Sequence, residues 1–326
     1  MFIEQGYKGT HDMWRYLVGL TIIFVGWQLV GMVPLMGVLI FRSIEEGTLP
    51  GDIPGMIKLL GSNLFLLLML LSFAFGLLAT FVTVKYLHGQ PLVSLTTSRK
   101  KIDVKRMAYS FVLWSVISCL TVGLDIILAP DDYVFNFKWQ QFLLLLLIAV
   151  PLIPLQTSCE EYVMRGYLMQ GLGILAKNRW VPLTVTSLIF GLLHLANPEV
   201  EKLGYGIMVY YIGTGLFLGI LTLMDEGLEL ALGFHAANNL VTALLVTADW
   251  TALQTHSIFR DVSDPQLGWD VFIPVLVVYP ILLFVFSKKY KWTDWKGKLT
   301  GKVLPKEVFL DSKDYGNNTV TDTSGI

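Results

Sequence analysis

The chain contains a series of long apolar segments, each close to the length that a helix needs to cross a lipid bilayer. A transmembrane helix needs about 20 apolar residues, because the hydrocarbon core is about 30 Å thick. The mean hydropathy of +0.61, with only 15% charged residues, is typical of an integral membrane protein. We therefore predict an all-α, polytopic membrane helix bundle. Its eight candidate helices lie near residues 13–41, 57–86, 104–128, 139–158, 180–197, 204–224, 228–248 and 270–287.

Composition excludes several other classes of protein. The first apolar run, 13–41, is longer than the apolar core of a secretory signal peptide, which has about 7–15 residues. We expect it to stay in the protein as a transmembrane helix. A net charge of −1 offers no basic field for nucleic acid. The two cysteines, Cys119 and Cys159, lie in or beside predicted spans, which argues against a disulfide framework.

The basic residues between the apolar segments predict the orientation in the membrane. With the amino terminus in the cytoplasm, the inside segments hold 15 Lys and Arg residues and the outside loops hold four. Cytoplasmic loops are enriched in these residues, so eight helices with both termini cytoplasmic fit best. From about Pro305 the tail is polar, and we expect a disordered end. This topology leaves the glycosylation sequon at Asn317 in the cytosol.

Two features of the central segments concern packing. Gly215 and Gly219 form a GxxxG pair, which allows a neighbouring helix to approach closely. Pro151 and Pro154 are expected to interrupt the fourth span and to free backbone carbonyls there. We divide the chain into three transmembrane helices at 1–138, a four-helix core at 139–250, a last transmembrane helix at 251–287 and a polar cytosolic tail at 288–326.

Two carboxylates and a guanidinium, Glu160, Glu161 and Arg165, directly follow the fourth apolar segment. A charged group at the centre of a bilayer costs about 2.5–3.5 kcal/mol, so such groups are usually paired, hydrated or functional. Glu161 and Arg165 are four residues apart and can form an ion pair on one helix face. Glu160 lies about 100° further around the helix and stays free to act as an acid or base. A structural charge cluster at a helix end is the alternative.

A histidine, His194, ends the sequence Phe-Gly-Leu-Leu-His in the fifth apolar segment. Taken alone, such a histidine is more often a packing residue bonded to a carbonyl than a catalyst. The expected depth of His194 in the membrane, close to that of Glu160, favours a catalytic site. If the fourth and fifth segments form a hairpin that turns near Asn178, Glu160 lies 18 residues before the turn and His194 lies 16 after it. At 1.5 Å per residue, both are then roughly 25 Å from the turn.

A third polar motif, formed by His235 and Asn239, lies in the seventh apolar segment. The two residues are four apart and face the same side of a helix, and the small Ala236 leaves space beside them. An ordinary interhelical hydrogen bond is the alternative. Together, the three motifs supply what hydrolysis needs, which is a base for water and donors for the oxyanion.

The order of these motifs, Glu-Glu-x-x-x-Arg, then Phe-x-x-x-His, then His-x-x-x-Asn, resembles the CAAX protease and bacteriocin-processing family of intramembrane endopeptidases. This resemblance covers about residues 139–250. It implies that Glu160 and His194 activate the attacking water. It also implies that His235 and Asn239 stabilise the oxyanion. The resemblance further implies that Glu161 and Arg165 hold the first helix of the core in place.

The resemblance leaves the use of a metal open, because the family has been described both as zinc metalloproteases and as glutamate-dependent proteases. Glu160, His194 and His235 could supply three zinc ligands, with water as the fourth. A zinc ion bound by Glu160 would leave only Glu161, already paired, as the base. We therefore favour catalysis without a required cofactor. Cys159 precedes Glu160, and we expect it to be a passive apolar residue rather than a nucleophile.

The favoured function is an endopeptidase that cuts a membrane-associated or lipid-modified protein or peptide near the cytoplasmic side of the bilayer. The alternative from another class is a noncatalytic membrane scaffold or bacteriocin-immunity protein of the same family. The chain contains all four proposed catalytic residues, which favours the enzyme because a scaffold would not need them. They are Glu160, His194, His235 and Asn239. A proton-coupled transporter would be indicated by inverted repeats or paired broken helices, and no such repeat is visible.

Overall fold

The computed structural model describes residues 1–311, which form a bundle of helices with one small sheet. Residues 312–326 lie outside the described part of the chain, and with them the Asn317 sequon. The longer helices are α1 (Met13–Phe24), α2 (Val33–Glu46), α3 (Ile53–Leu60), α4 (Ser62–Val82), α6 (Val104–Leu128), α7 (Trp139–Glu161), α8 (Met169–Ala176), α9 (Trp180–Leu192), α11 (Met208–Asp225), α12 (Glu229–Leu245) and α14 (Tyr279–Tyr290). The short helices are α5 (Leu92–Thr96), α10 (Pro198–Leu203), α13 (Trp269–Ile273) and α15 (Trp295–Thr300).

Short 3₁₀ and π segments join several of these helices. The 3₁₀ segments are Ile3–Lys8, Pro130–Asp132 and Tyr205–Ile207, and the π segments are Val25–Val30, Thr83–Leu87, Tyr162–Leu168 and Pro274–Val278. The three strands are β1 (Tyr133–Phe135), β2 (Val246–Ala248) and β3 (Phe259–Asp261).

Six helical segments of the described chain are long and apolar enough to cross a membrane. The prediction of a polytopic helical bundle is therefore confirmed, and the chain is an integral membrane protein. The predicted fifth and seventh spans correspond to the shorter helices α9 and α12, so eight crossings remain a prediction. The six segments are Met13–Glu46, Ser62–Leu87, Val104–Leu128, Trp139–Ala176, Tyr205–Asp225 and Trp269–Tyr290.

The fourth span differs from the prediction, because its helix continues through Pro151 and Pro154. It then runs through the π segment and α8, so that 38 residues from Trp139 to Ala176 form one helical segment. The helix is held by its neighbours on both sides. Ala149 and Ile153 are fully buried against side chains of α4 and α12. Packing of this kind outweighs the local effect of a proline, as it often does in membrane helices.

Helices α9 and α11 approach closely at the predicted GxxxG pair. A β-carbon on Gly215 would lie 2.9 Å from the Ser187 carbonyl oxygen, and one on Gly219 would lie 2.6 Å from Leu183 Cδ1. Both distances are shorter than real carbon contacts allow. The two glycines are therefore needed for this approach, which brings α9 and the residues that follow it against α11.

One end of the bundle gathers the basic loops. Asn178 forms a β-bridge with Lys302, which joins the turn between α8 and α9 to the tail. Arg99 forms ion pairs with Asp225 at 3.0 Å and with Glu229 at 3.1 Å, which join the loop before α6 to the α11–α12 turn. We call this the basic end, defined by residues 8–15, 85–106, 177–179 and 288–306.

Both ends of the described chain lie at the basic end. The Met1 amine is 3.7 Å from a Glu226 carboxylate oxygen. Glu4 pairs with Arg179 at 2.6 Å and also accepts a hydrogen bond from the Leu304 backbone amide at 3.2 Å. An arrangement with residues 1 and 311 on one side requires an even number of crossings between them. Their location in the cytoplasm stays a prediction.

The opposite end carries the sheet, in which β3 lies between β1 and β2. Strand β3 pairs antiparallel with β1 and parallel with β2. Helix α10 lies here too, since Glu199 accepts a hydrogen bond from the Ala252 amide at 2.9 Å. We call this the sheet end, defined by β1, β2, β3, α10 and residues 249–268.

The packed part of the chain extends beyond Pro305, where we predicted that a disordered end begins. Phe309 is 3% exposed, and its ring centroid lies 6.2 Å from that of Tyr7. The expectation of a disordered end from Pro305 is therefore wrong for residues 305–311, because an aromatic side chain there buries itself against the amino-terminal segment. The remaining tail, 312–326, is outside the described residues.

Candidate active site

A cavity of about 470 Å³ lies between the first, second and fourth spans and the ends of α9 and α12. Three of the predicted catalytic residues line it: Glu160, His194 and Asn239. The apolar part of its wall is formed by Phe24, Trp27, Met69, Phe73, Met164, Phe190, Leu193, Ala252 and Leu253, and the remaining polar lining by Gln28, Gln156 and Asn197. The structure thus brings three separate polar motifs to one apolar-walled space.

His194 reaches the cavity because α9 is short. The helix spans 13 residues, or about 20 Å, and ends at Leu192. Irregular backbone at membrane depth is tolerated where it lines a cavity, which is where this turn lies. His194 Nδ1 is 2.7 Å from the Phe190 carbonyl oxygen, and the imidazole stacks on the Tyr211 ring with centroids 4.4 Å apart. The carbonyl can only accept, so Nδ1 carries the proton and Nε2 presents a lone pair.

The predicted ion pair between Glu161 and Arg165 is present. Arg165 Nη1 donates to Glu161 Oε1 at 3.0 Å, and both side chains are fully buried. Arg165 Nη2 donates to the Gly215 carbonyl oxygen at 2.9 Å, and the guanidinium lies over the Phe190 ring at 4.5 Å. The pair therefore ties the helix that carries both glutamates to α9 and α11.

His235 lies between the two glutamates. Its Nδ1 is 2.8 Å from Glu161 Oε1, and its Nε2 is 3.6 Å from Glu160 Oε2. The ring is 5% exposed and sits beside the cavity, behind Glu160. Each ring nitrogen thus faces a carboxylate.

A residue that the sequence motifs did not include, Gln156, connects the two halves of the site. Its Nε2 donates to Glu160 Oε1 at 2.6 Å, and its Oε1 accepts from Asn239 Nδ2 at 3.0 Å. The one available signal was its position, one helical turn before Glu160 on the same face. A polar residue at that spacing is common, so the sequence alone did not single it out.

The three candidate metal ligands do not form a metal-binding group. Within residues 1–311, no three His, Cys, Asp or Glu side chains are grouped closely enough to hold a metal ion together. His235 Nδ1 is directed at Glu161, and His194 Nδ1 at a carbonyl. Catalysis without a required cofactor stays a prediction.

Cys159 lies away from the cavity on the same helix. It is fully buried, and a β-carbon on Gly76 would lie 2.8 Å from its Sγ. The thiol therefore packs against α4. Helix packing accounts for its position.

The lining of the cavity includes residues next to the sheet end. Asn197, Ala252 and Leu253 line it, and they belong to the turn before α10 and to the loop after β2. No described residue of the basic end lines it. The side of the membrane on which the site opens stays a prediction.

Comparison with known proteins identifies a family match for the segment that carries the site residues. The family model of the Rce1-like type II CAAX prenyl endopeptidases matches residues 138–241. These residues form an Rce1-like domain. The resemblance inferred from the three motifs is thus confirmed, and the Rce1-like domain contains all seven residues of those motifs. The helices before residue 138 and after 241 lie outside it.

A relative matches over most of the chain. The uncharacterized protein YyaK of Bacillus subtilis is 25% identical over 287 residues, which cover 87% of this chain and 95% of that protein. The similarity therefore extends beyond the Rce1-like domain to the flanking helices. No solved structure matches the chain.

Proposed function

We propose that this protein is an intramembrane endopeptidase that hydrolyses a peptide bond of a membrane-associated or lipid-modified protein or peptide. One observation carries the proposal: Glu160, His194 and Asn239 come from three helical segments and line one apolar-walled cavity inside a domain related to endopeptidases. Water, a base and oxyanion donors are the requirements of peptide hydrolysis.

Glu160 is the proposed general base, assisted by His194. Glu160 Oε1 is held by Gln156, so the carboxylate has a fixed orientation at the cavity wall. His194 has Nε2 available as an acceptor, because Nδ1 faces a carbonyl. A water held by both groups loses a proton to Glu160 as its oxygen attacks the carbonyl carbon. General base catalysis of this kind contributes about 10²–10⁴-fold.

His235 and Asn239 are the proposed oxyanion donors. Glu161 holds the His235 ring at Nδ1, and in this role Nε2, on the Glu160 side, carries the proton that is donated to the oxyanion. Asn239 uses one amide hydrogen on Gln156 and has another to donate. When the tetrahedral intermediate collapses, the proton taken by Glu160 passes to the leaving amine, and the carbon–nitrogen bond breaks.

A cleavage assay tests the proposal. Purified full-length protein in detergent is incubated with a library of quenched fluorescent peptides that carry an apolar anchor, and products are identified by mass spectrometry. We expect cleavage by wild type and by Cys159→Ala, and none by Glu160→Gln, which keeps the side-chain shape and loses the base.

Each variant is assayed again after exhaustive chelation and after zinc is restored. We expect activity to survive chelation, because the donors do not group into a metal site. Activity that disappears on chelation and returns with stoichiometric zinc would reverse the proposed mechanism. Folded wild type that cleaves none of the peptides would contradict the enzyme.

A further inference from the structure

A groove of about 650 Å³ runs along the last transmembrane helix, α14, where this helix reaches the basic end. It shares no lining residue with the cavity that contains Glu160. Another face of the same helix is buried in the bundle core through Tyr279, Leu282 and Phe286. The groove is lined by Pro280, Leu283, Phe284, Ser287, Lys288, Lys291, Trp292, Thr293 and Trp295.

The groove crosses the boundary between the hydrocarbon core and the headgroups. The helical segment Trp269–Tyr290 has 22 residues and is about 33 Å long, close to the thickness of the hydrocarbon core. Pro280 and Phe284 therefore lie inside the hydrocarbon, whereas Lys288 and Lys291 lie at the end of the segment or beyond it. A ligand that fills the groove must be apolar at one end and polar at the other.

The polar end of the groove carries positive charge that the protein itself does not neutralise. Lys288 and Lys291 are exposed, and neither forms an ion pair with any residue in 1–311. None of the described lining residues is acidic. Other cations of the basic end differ, because Arg99, Arg106 and Arg179 each pair with a buried carboxylate. The two lysines are therefore available to an anion from outside the chain.

Two tryptophans form the wall beside the lysines. Trp292 is 9% exposed, and its Nε1 donates to Asp225 Oδ1 at 3.3 Å, which fixes the ring against the bundle. Trp295 packs edge-on against it, with ring centroids 5.8 Å apart. Tryptophan is enriched at the depth of the headgroups, where its ring meets both apolar and polar groups. The wall is held by contacts within the protein, so the groove is preformed.

We propose that this groove binds one anionic phospholipid. Its phosphate contacts Lys288 and Lys291, and an acyl chain lies against Pro280, Leu283 and Phe284. The volume of the groove is in the range of sites for small ligands, and basic pockets beside transmembrane helices suit anionic headgroups. A water-soluble anion would leave the apolar part unfilled, and a zwitterionic lipid would not neutralise the two lysines. The proposal does not depend on the proposed catalytic function.

Native mass spectrometry of the delipidated full-length protein tests the proposal. The protein in detergent is titrated with phosphatidylglycerol, with phosphatidylcholine and with glycerol phosphate, which has the charge and lacks the chains. We expect the first phosphatidylglycerol to bind about tenfold more tightly than phosphatidylcholine, and glycerol phosphate not to bind at the same concentrations. Phosphatidylglycerol should also raise the thermal unfolding midpoint, since a ligand of the folded state stabilises it. Equal affinity for the two lipids, or for glycerol phosphate and phosphatidylglycerol, would overturn the proposal.

A pair of double variants separates the groove from the general charge of the basic end. Each lysine close to an anionic lipid contributes a factor of about five, so Lys288→Gln with Lys291→Gln should weaken the first phosphatidylglycerol by about 30-fold. The control is Lys296→Gln with Lys306→Gln, which removes the same charge from exposed positions outside the groove. The control should bind as wild type does. Equal loss in both double variants, or no loss in the first, would overturn the site.

A third variant tests the groove without changing its charge. Ser287 is half-buried in the lining, one helical turn before Lys291, so Ser287→Trp places a large side chain in the groove. We expect this variant to lose the preference for phosphatidylglycerol. The unfolding midpoint of each variant without lipid reports whether it is folded, and Ser287→Trp decides the outcome if the lysine variant does not fold. Folded Ser287→Trp that binds phosphatidylglycerol as tightly as wild type would overturn the proposal.

Discussion

His235 Nδ1 lies 2.8 Å from Glu161 Oε1, the same oxygen that accepts a hydrogen bond from Arg165 at 3.0 Å. One buried carboxylate oxygen thus contacts a guanidinium on its own helical segment and an imidazole on α12. Its neighbour Glu160 faces the other nitrogen of the same imidazole at 3.6 Å and lines the cavity. The two adjacent glutamates therefore share a histidine and differ in everything else they contact.

We predict that Glu161→Gln impairs both folding and activity, whereas Glu160→Gln impairs activity alone. Removing one partner of a buried ion pair costs about 3–5 kcal/mol, because the remaining charge is left buried. Loss of Glu161 also removes the anion that orients His235. The measurements are the yield of monodisperse protein, the thermal unfolding midpoint in detergent and the cleavage rate. Equal stability of the two variants would contradict the division.

A double variant separates the two roles of Glu161. Replacing a buried ion pair by apolar residues of similar size is often neutral for stability. Glu161→Leu combined with Arg165→Met should therefore recover much of the unfolding midpoint lost by Glu161→Gln. Activity should stay low, because His235 still lacks its carboxylate. Recovery of both would show that Glu161 acts through folding only.

Gln156 is predicted to position Glu160 and Asn239. A hydrogen bond to a charged group contributes about 1.5–3 kcal/mol, so Gln156→Leu should lower kcat by roughly 10–100-fold. KM should change little, since Gln156 is not proposed to bind the substrate backbone. The control is Thr157→Val on the same helix, whose hydroxyl bonds only to helix carbonyls. A rise in KM at constant kcat would instead indicate a binding role.

Much of the site could be predicted from the spacing of its residues in the sequence, because spacing along a helix determines which side chains share a face. Predicting the Glu161–Arg165 pair required only the assumption of a helix. Predicting a common depth for Glu160 and His194 required only a hairpin that turns near Asn178. The continuation of the helix through Pro151 could not be predicted, because neighbouring helices decide it. The role of Gln156 was equally hidden, since its partner Asn239 lies 83 residues away.

Asn239→Ala should reduce kcat by about 10²–10³-fold without unfolding the protein, as expected for loss of one oxyanion donor. Asn239→Asp, nearly identical in shape, should lose as much, because an ionised carboxylate cannot donate. The control is Asn238→Ala. Asn238 contacts Trp114 and donates to Asn239 at 3.1 Å, so its loss should have a smaller effect. Full activity of Asn239→Asp would remove Asn239 from the oxyanion site.

Stability should depend on pH through His88, which lies just after the second span. Burial lowers the pKa of His88 below its usual value of 6.5, an effect that Arg15 reinforces and that the bond to the Thr10 carbonyl partly opposes. The unfolded chain therefore binds the proton more readily than the folded protein. The stability contributed by neutral His88 is present above pH 6.5 and is lost as the pH falls below it. The unfolding midpoint of wild type should fall more steeply between pH 7 and 5 than that of His88→Gln. Parallel curves for the two proteins would contradict this.

Tyr211 is predicted to hold the catalytic orientation of His194. The two rings stack with centroids 4.4 Å apart and planes 25° apart, and His194 lies in the turn after α9, where Nδ1 also bonds the Phe190 carbonyl. An aromatic pair of this kind contributes about 0.5–1.5 kcal/mol, so Tyr211→Leu should lower kcat by up to about tenfold. Tyr211→Phe keeps the ring and should keep the rate, since within residues 1–311 the Tyr211 hydroxyl forms a hydrogen bond only with Asn197, at 3.5 Å. The comparison is made on solubilised protein with one peptide under saturating conditions. A larger loss for Tyr211→Phe than for Tyr211→Leu would assign the effect to the hydroxyl and would contradict the stacking role.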